Sequence, residues 1–369
     1  MFVDQNRADT GLLTWHHYSN VGSNLQAYAM QYIVTEQKRT PVFLNYRGKY
    51  TESKYKAFLK KVFGEIDSAM PNILPESIRA QAFHFQNKYL KMTKELFTDE
   101  DLFQYSKNLS SIVCGSDQIW APNVYNPVYQ LQFCGEGVYK CAYAASVGLP
   151  SIPKELIPTY RKNLQSFHYI TVRERQGAEL LSNILDKEIP WVLDPTLLVP
   201  RSEWEKISKR IKTPEKYLFC YFLGENPDHR KMAQNYAKQN GLEIICCSNS
   251  KMDKTGFGKT ISHMGPQEFL GYLLGSDAMF TDSFHGILFS IIFRKNFYAV
   301  HRFKSDDKVC QNSRVDNILE MLCLSDRCLQ DGQFVTADKP IDYAFVERLL
   351  KPKQIESELH LRRMLNLNE

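Results

Sequence analysis

The residues with the clearest capacity for chemistry lie between a strand-like run and an apolar helix near position 285. In AMFTDSFHGILFSIIFRKNFYAV (278–300), Thr281, Asp282, Ser283 and His285 interrupt two apolar runs. Asp282 or Ser283 can cap the following helix, which places His285 in a first turn where the helix dipole disfavours imidazolium. A neutral imidazole can take a proton and return it later, and free N–H groups there can bind phosphate. A histidine hydrogen-bonded to nearby backbone is the structural alternative.

Two further features would bring positive charge to such a site. Arg173 ends the apolar run YITVR, and its guanidinium can bind a carboxylate or phosphate through two hydrogen bonds; a structural salt bridge explains it equally well. The segment 294–314 is locally basic and suits a small anionic substrate, although a solvated basic loop is the alternative. Its charged residues are Arg294, Lys295, His301, Arg302, Lys304, Lys308 and Arg314 against Asp306 and Asp307.

Two polar loops follow other strand-like runs. In CGSDQIWAPN (114–123), Ser116, Asp117 and Gln118 stand beside Trp120. Polar groups next to an indole suit a sugar, whose hydroxyls need hydrogen bonds and whose ring can stack. A capped turn packed by Trp120 is the alternative.

The second loop, HHYSNVGSN (16–24), offers backbone N–H groups at a helix start and hence a site for an anion or hydroxyl. Ser23 and Gln26 form a capping-box pattern there. His16 and His17 are equally compatible with surface positions.

Strand-like runs alternate with helical periodicity along the chain, which predicts the α/β class. Two Rossmann-like domains facing each other across a cleft are the natural architecture, with ligands beyond the carboxyl ends of the strands. The first domain is expected over 1–200, with a helical insertion at about 50–110, and the second over 215–340. Residues 341–369 form a C-terminal helical segment. Strands of the first domain are predicted at 10–15, 41–46, 110–115, 140–146, 169–174 and 190–196.

Composition narrows the class of protein. With 369 residues, 43% apolar and 24% charged, the chain has the balance of a folded soluble protein. A net charge of +5 is too small to indicate nucleic-acid binding. Nine scattered cysteines without CxxC favour buried free thiols. No apolar run is long enough for a bilayer and no signal peptide is visible, so a cytoplasmic protein is expected.

Metal and nucleotide motifs give no signal. HExxH and GxGxxG are absent, GFGKT (256–260) lacks the first glycine of a P-loop, and the acidic run TDEDLF fits a helix start. No metal site is therefore expected.

Taken together, the motifs resemble the polysaccharide pyruvyl transferase family. The pieces that match, in the family's order, are NVGSNLQAYAMQ, GSDQIW, YAASVG, TVRE, DPTLL, EFLGYLLGSDAMFTDSFHGILFSIIF and NSRVDNILEML. The resemblance implies a GT-B-like fold, phosphoenolpyruvate as donor, and a sugar of a glycan or its precursor as acceptor. It also implies that the pyruvyl group becomes a cyclic ketal and that neither a metal nor an organic cofactor is needed.

The resemblance also implies roles for particular residues. His285 is similar to the catalytic histidine, while Arg173 and the segment Ser283, Phe284 and Gly286 around it resemble the donor site. Some relatives carry an arginine where this chain has Ser283, so Lys304 or Arg314 is expected to supply the missing charge. The residues expected to bind the acceptor are Asn20, Asn24, Ser116, Asp117, Gln118 and Trp120.

Two other functions stay open from the sequence. One is a GT-B glycosyltransferase that uses a nucleotide-sugar; the other is a non-catalytic protein that binds a glycan or phosphate. A lipid-linked acceptor would place the protein at the inner face of the membrane, with the helical insertion or the C-terminal segment as a contact surface.

Overall fold

The computed structural model describes residues 8–16, 20–48, 76–247, 253, 256–336 and 338–365. These residues form two entirely parallel β-sheets with helices packed against both. The strands of the first sheet are β1 (Thr10–Leu13), β2 (Pro41–Phe43), β3 (Ser111–Cys114), β4 (Tyr139–Ala145) and β5 (Tyr169–Val172). Those of the second are β6 (Tyr217–Tyr221), β7 (Glu243–Cys247), β8 (Lys259–Ile261), β9 (Ala278–Thr281), β10 (Asn296–Val300) and β11 (Cys328–Leu329).

Both sheets are doubly wound. The first has the order β2-β1-β3-β4-β5, and the second β11-β10-β9-β6-β7-β8. Each order reverses direction once, between β1 and β3 in the first sheet and between β6 and β9 in the second. Crevices at such points, beyond the carboxyl ends of the strands, are where open α/β sheets bind ligands. The predicted class, α/β with two parallel-sheet domains, is confirmed.

Helices connect most of the strands. Their bounds are α1 (Val21–Glu36), α2 (Glu76–Tyr89), α3 (Asp99–Ser106), α4 (Ile157–Leu164), α5 (Arg175–Leu185), α6 (Arg201–Ile207), α7 (Pro227–Asn240), α8 (Pro266–Gly275), α9 (Phe284–Ile292), α10 (Ser313–Met321) and α11 (Tyr343–Met364). Of the insertion predicted at about 50–110, residues 49–75 lie outside the described part of the chain, and α2 and α3 occupy most of the rest.

One apolar cluster joins the two domains. It contains Leu25 of α1, Trp204 of α6 and Phe289 of α9. The fully buried Trp204 ring packs edge-on against Phe289, with centroids 4.9 Å apart, and lies 5.4 Å from the Tyr28 ring. Aromatic contacts of this kind add to the stability gained from area burial, so the starts of α1 and α9 are held together by a continuous core.

The C-terminal helix returns to the first domain. Cys141 of β4 donates to the Met364 carbonyl, the Tyr169 hydroxyl bonds His360, and Leu193 N–H donates to Ser357 Oγ. None of the helices in the described ranges is both long and apolar enough to cross a membrane.

The strand predicted over 190–196 is not formed. Trp191 makes a single parallel bridge with Val172, and Pro195–Leu198 is a 3₁₀ helix. Prolines 190 and 195 explain this, since each lacks the N–H that a strand ladder needs. Asp194 instead caps the 3₁₀ helix, with its side chain accepting a hydrogen bond from Thr196 N–H.

Candidate active site

An open cavity lies where the reversal points of the two sheets face each other. Trp15 and Asp117 reach it from beyond β1 and β3 of the first sheet. Leu223 and Asp282 reach it from beyond β6 and β9 of the second. Since both domains contribute from their ligand-binding edges, this cavity is the candidate active site.

A rigid turn presents His285 to the cavity. Ser283 is the N-cap of α9, and its Oγ accepts a hydrogen bond from Gly286 N–H at 3.3 Å. Thr281 holds Ser283 in place, because its Oγ1 accepts a hydrogen bond from Ser283 N–H at 3.0 Å and donates one to the Tyr221 carbonyl at 2.6 Å. The helix beyond is apolar apart from Ser290 and buried apart from Ile292, so His285, a residue only 8% exposed, has little freedom to move.

The His285 ring packs on the start of α1, across the domain boundary. A Cβ built on Gly22 would come within 2.2 Å of His285 Nδ1. Distances under 3.0 Å between such atoms do not occur without displacement. Position 22 therefore requires glycine because the imidazole occupies the space that a side chain would take.

Asp194 is the carboxylate that faces His285, and sequence reasoning did not propose it as a site residue. Its Oδ1 accepts from Thr196 N–H at 3.0 Å and Thr196 Oγ1 at 2.7 Å. Its Oδ2 accepts from Arg173 Nη1 at 2.8 Å and lies 3.5 Å from His285 Nε2. Burial alone would raise the pKa of Asp194, but the contact with His285 and the ion pair with Arg173 hold that pKa well below its usual range.

Arg173 lies behind the cavity wall. Its side chain is 1% exposed, and its Nη2 is 3.6 Å from Asp117 Oδ1. Burial lowers the pKa of Arg173, but the charges of Asp194, Asp117 and Glu174 outweigh it, so the pKa is raised overall. The guanidinium covers the Phe284 ring at 4.6 Å. Arg173 therefore does not line the wall. It packs against Phe284, which does, and its positive charge lies close behind the cavity.

Arg314 and Arg302 bring positive charge to the cavity wall itself. Arg314 also lies close to Phe284, 5.4 Å from the ring centroid. Burial, together with the charges of Arg173 and Arg302, lowers the pKa of Arg314 to about 9. A buried cation destabilised by two like charges favours the binding of an anion.

Arg302 is the cavity arginine that the sequence pointed to only as part of the basic segment. Its Cγ would lie 2.9 Å from a Cβ on Gly224, so the side chain passes directly over that glycine. Burial lowers the pKa of Arg302, opposed by Asp282. Lys304, which was predicted as an alternative to Arg314 for supplying positive charge to the donor site, is exposed and does not line the cavity.

The family model "Polysaccharide pyruvyl transferase" matches residues 20–301, which include His285, Asp194 and Arg173. The chain belongs to the polysaccharide pyruvyl transferase family. It is therefore a transferase, and the family implies a glycan acceptor. No curated protein sequence matches the chain closely enough to count as a relative.

Several solved structures have a distant similarity to this pyruvyl transferase family member. UGT89C1 of Arabidopsis thaliana, crystallised with quercetin, is 8% identical with a TM-score of 0.46, covering 97% of this chain and 94% of its own. The UDP-GlcNAc 2-epimerase of Methanocaldococcus jannaschii is 10% identical with a TM-score of 0.46, covering 98% and 99%. The glycosyltransferase SnogD of Streptomyces nogalater is 9% identical with a TM-score of 0.45, covering 98% and 98%.

Seven of the predicted site residues of this pyruvyl transferase family member lie at the cavity, from both domains: Asn20, Asp117, Gln118, Ser283, Phe284, His285 and Arg314. On the first domain, Asp117 adopts a left-handed backbone with φ 68°. Its carboxylate accepts from Ser23 Oγ at 2.7 Å and Gln118 N–H at 2.9 Å. Asn20 caps α1 by accepting from Ser23 N–H. These bonds present a wall of polar groups opposite His285.

Other predicted residues support the site from behind. Asn24 is fully buried, and its amide accepts from Gln86 Nε2 at 2.8 Å. Ser116 Oγ donates to the Ala144 carbonyl at 2.9 Å. At Gly286 a Cβ would lie 2.6 Å from Thr281 Oγ1, so the glycine serves close packing. These positions do not line the cavity wall.

Trp120 does not offer the sugar-stacking surface expected of it. The side chain is 1% exposed, its Nε1–H donates to the Tyr129 carbonyl at 2.8 Å, and Phe167 packs edge-on against it. Trp15 is the indole that lines the cavity. The alternative stated for this loop, a turn packed by Trp120, describes what is observed.

His16 is buried rather than at the surface. Its Nε2 lies 3.2 Å from Asn45 Oδ1 and its Nδ1 3.0 Å from the Thr14 carbonyl. Burial lowers its pKa to about 4, so the ring is neutral at physiological pH and braces the loop after β1. His17 lies outside the described residues.

Proposed function

We propose that this protein transfers the enolpyruvyl group of phosphoenolpyruvate to a sugar of a glycan or its precursor, forming a cyclic ketal and releasing phosphate. The observation that carries the proposal is that His285 lines one cavity together with Arg302 and Arg314, while Arg173 lies behind the wall. Phosphoenolpyruvate carries a carboxylate and a phosphate on one small molecule. A compact cationic cavity with a proton-transferring group matches both needs.

The three arginines have different roles in donor binding. Arg302 and Arg314 line the wall, so they are the direct ligands for the two anionic ends. Arg173 is buried against Asp194 and Asp117, and its guanidinium packs on Phe284, 4.6 Å from the ring centroid. Where some relatives carry an arginine, Ser283 adds its hydroxyl to the cavity wall.

The reaction balances without a further reactant. One sugar hydroxyl adds to C2 of the donor and loses its proton, while the electron pair of the C2–C3 double bond takes a proton at C3. Phosphate then leaves C2 with the electrons of its C–O bond, giving an oxygen-stabilised cation. The second hydroxyl attacks that cation and its proton passes to the released phosphate, which closes the ketal. His285 accepts each hydroxyl proton in turn and returns it, first to C3 and then to phosphate, and the Asp194 carboxylate stabilises the imidazolium between those events.

A nucleotide-sugar fits this cavity less well. The N–H groups of Leu223 and Gly224, beyond β6, could bind a diphosphate, but each donates at 2.7 Å to the Asp282 carboxylate. Arg302 passes over Gly224. The N–H groups of the loop after β6 are therefore already occupied by the Asp282 carboxylate. This favours the small donor over a nucleotide diphosphate.

The reaction itself is tested by incubating the protein with phosphoenolpyruvate and candidate glycans and measuring released phosphate and ketal product. Acceptor-dependent phosphate release supports the proposal. Turnover of a nucleotide-sugar in its place would establish the glycosyltransferase alternative. Donor binding without turnover across a broad glycan panel would indicate the non-catalytic alternative.

Removing the charge of Arg302 should weaken donor binding specifically. We expect Arg302→Gln to raise KM for phosphoenolpyruvate ~10-fold to 100-fold, because a hydrogen bond to a charged group is worth about 1.5–3 kcal/mol. Lys304→Gln is the matched control, since Lys304 is exposed and outside the cavity. Steady-state kinetics on both variants is the measurement. Equal effects of the two changes would mean that general surface charge, not Arg302, attracts the donor.

Adding one methyl group at Gly22 should displace His285. We expect Gly22→Ala to lower kcat ~10-fold to 100-fold, because the imidazole must move away from a Cβ at 2.2 Å and misplacement of about 1 Å has that cost. Alanine is favoured over glycine within a helix by about 1 kcal/mol, so the helix itself should persist. Kinetic measurements paired with thermal unfolding separate the effect on catalysis from the effect on stability. An unchanged kcat would show that the contact between Gly22 and His285 does not position the imidazole.

A further inference from the structure

Away from the cavity wall, three potential metal ligands meet at the edge of the second sheet. His301 follows β10, Asp316 lies in α10, and Cys328 begins β11. One ligand atom from each lies within 4.8 Å of both others, and His301 Nε2 is 2.8 Å from Asp316 Oδ1. A cation would replace the hydrogen bond between His301 and Asp316, with the two ligand atoms moving slightly apart to reach tetrahedral spacing.

The register of the sheet explains why the three residues converge. Cys328 pairs with Ala299 in the parallel β10–β11 ladder. His301 is two positions after Ala299, and side chains two apart along extended chain point to the same face. Helix α10 covers that face and supplies Asp316. The ligands are far apart in sequence, so no metal-binding spacing was visible there.

We propose that His301, Asp316 and Cys328 bind one divalent cation of the zinc class. An imidazole nitrogen, a carboxylate oxygen and a thiolate sulfur are the ligands that zinc accepts in proteins. Three protein ligands leave the fourth tetrahedral position for water. All three side chains are partly exposed, so a cation can enter from solvent. Binding requires loss of the Cys328 proton and a free His301 nitrogen.

The position of the site gives it a consequence for the cavity. His301 immediately precedes Arg302, and Asp316 is two residues after Arg314. A cation held by His301, Asp316 and Cys328 would cross-link the end of β10, the first half of α10 and β11. It would thereby fix the two segments that carry the cavity-wall arginines. This inference is independent of the proposed transfer reaction because metal binding is measured without donor or acceptor.

Cobalt titration of the purified full-length protein tests the site. Co²⁺ bound to a thiolate gives a charge-transfer absorption band, and Zn²⁺ should displace it. We expect one equivalent per chain in the wild type. In Cys328→Ser the band should vanish and affinity should fall by more than the ~10-fold to 100-fold typical of losing an outer-shell partner. Cys323→Ser is the matched control, since Cys323 is exposed and outside the cluster, and should retain the band.

Thermal unfolding gives a second readout. Zn²⁺ should raise the Tm of the wild type and of Cys323→Ser but not of Cys328→Ser, because a cation stabilises only the state that binds it. Comparing metal-free Tm values shows whether Cys328→Ser folds normally. If the wild type binds no Co²⁺, or if Cys328→Ser keeps the thiolate band, the cluster is an ion pair beside a cysteine and the proposal is overturned.

Discussion

Replacement of His285 by alanine is expected to lower kcat for ketal formation ~10³-fold, within the range typical of losing a general acid–base group. This corresponds to roughly 3–5 kcal/mol of activation free energy. The reason is geometric: within the described residues, His285 is the imidazole that both lines the cavity and faces a buried carboxylate. Rapid-quench or steady-state assays of phosphate release measure the effect.

Structural damage must be separated from lost chemistry in that experiment. His285→Asn keeps a polar side chain of similar reach, so it should retain phosphoenolpyruvate binding while losing turnover. Donor affinity measured by calorimetry and an unfolding curve near that of the wild type would establish this. A correctly folded His285→Ala variant with near-wild-type kcat would remove His285 from the mechanism.

Replacement of Arg173 by methionine is expected to reduce the free energy of unfolding by roughly 3–5 kcal/mol. That is the usual cost of removing one partner from a buried ion pair. Arg173 contacts Asp194 Oδ2 at 2.8 Å and Asp117 Oδ1 at 3.6 Å, and all three side chains are almost fully buried. Without the guanidinium, both carboxylates lose a buried counter-charge. Urea unfolding measures the loss.

The pH dependence of the same variant identifies the cause. In the wild type the pKa of Asp194 is lowered, so its stabilising contribution is present at neutral pH. That contribution is lost as the pH falls below the pKa of Asp194 in the unfolded chain and approaches its lower pKa in the folded protein. In Arg173→Met the Asp194 carboxylate loses a counter-charge that lowers its pKa, so it protonates more readily and the deficit should shrink in mildly acidic buffer. Arg175→Met is the matched control, since Arg175 is exposed and its loss should cost within about 0.5 kcal/mol. A deficit that does not change with pH would point to lost packing on Phe284 instead.

Much of the architecture follows from local patterns in the sequence. Short apolar runs such as Ser111–Cys114 and Ala278–Thr281 form strands, and helical periodicity after Asn20 gives α1. The Ser283 cap and the buried apolar helix behind it place His285 at a helix start as the sequence indicates. These features depend on near neighbours in the chain, which is why a single sequence suffices to predict them.

The rest of the site depends on contacts between distant segments. Arg302 and Lys304 are two residues apart beyond a strand, and only the path of the loop decides that Arg302 enters the cavity. From the sequence, Trp120 could face a ligand or the core. It lies in the core because it packs against Phe167 and donates a hydrogen bond to the Tyr129 carbonyl. Asp194 reaches His285 because the two domains meet at α1 and α9, a contact that no local spacing encodes.

A crystal structure of the protein with phosphoenolpyruvate tests the central claim most directly. We predict that the donor lies in the cavity between the domains, with its phosphate and carboxylate contacting Arg302 and Arg314. The C2 and C3 atoms should lie where an acceptor hydroxyl can reach both C2 and the His285 imidazole. Binding of phosphoenolpyruvate elsewhere on the protein, with the His285 cavity left to another ligand, would contradict the account.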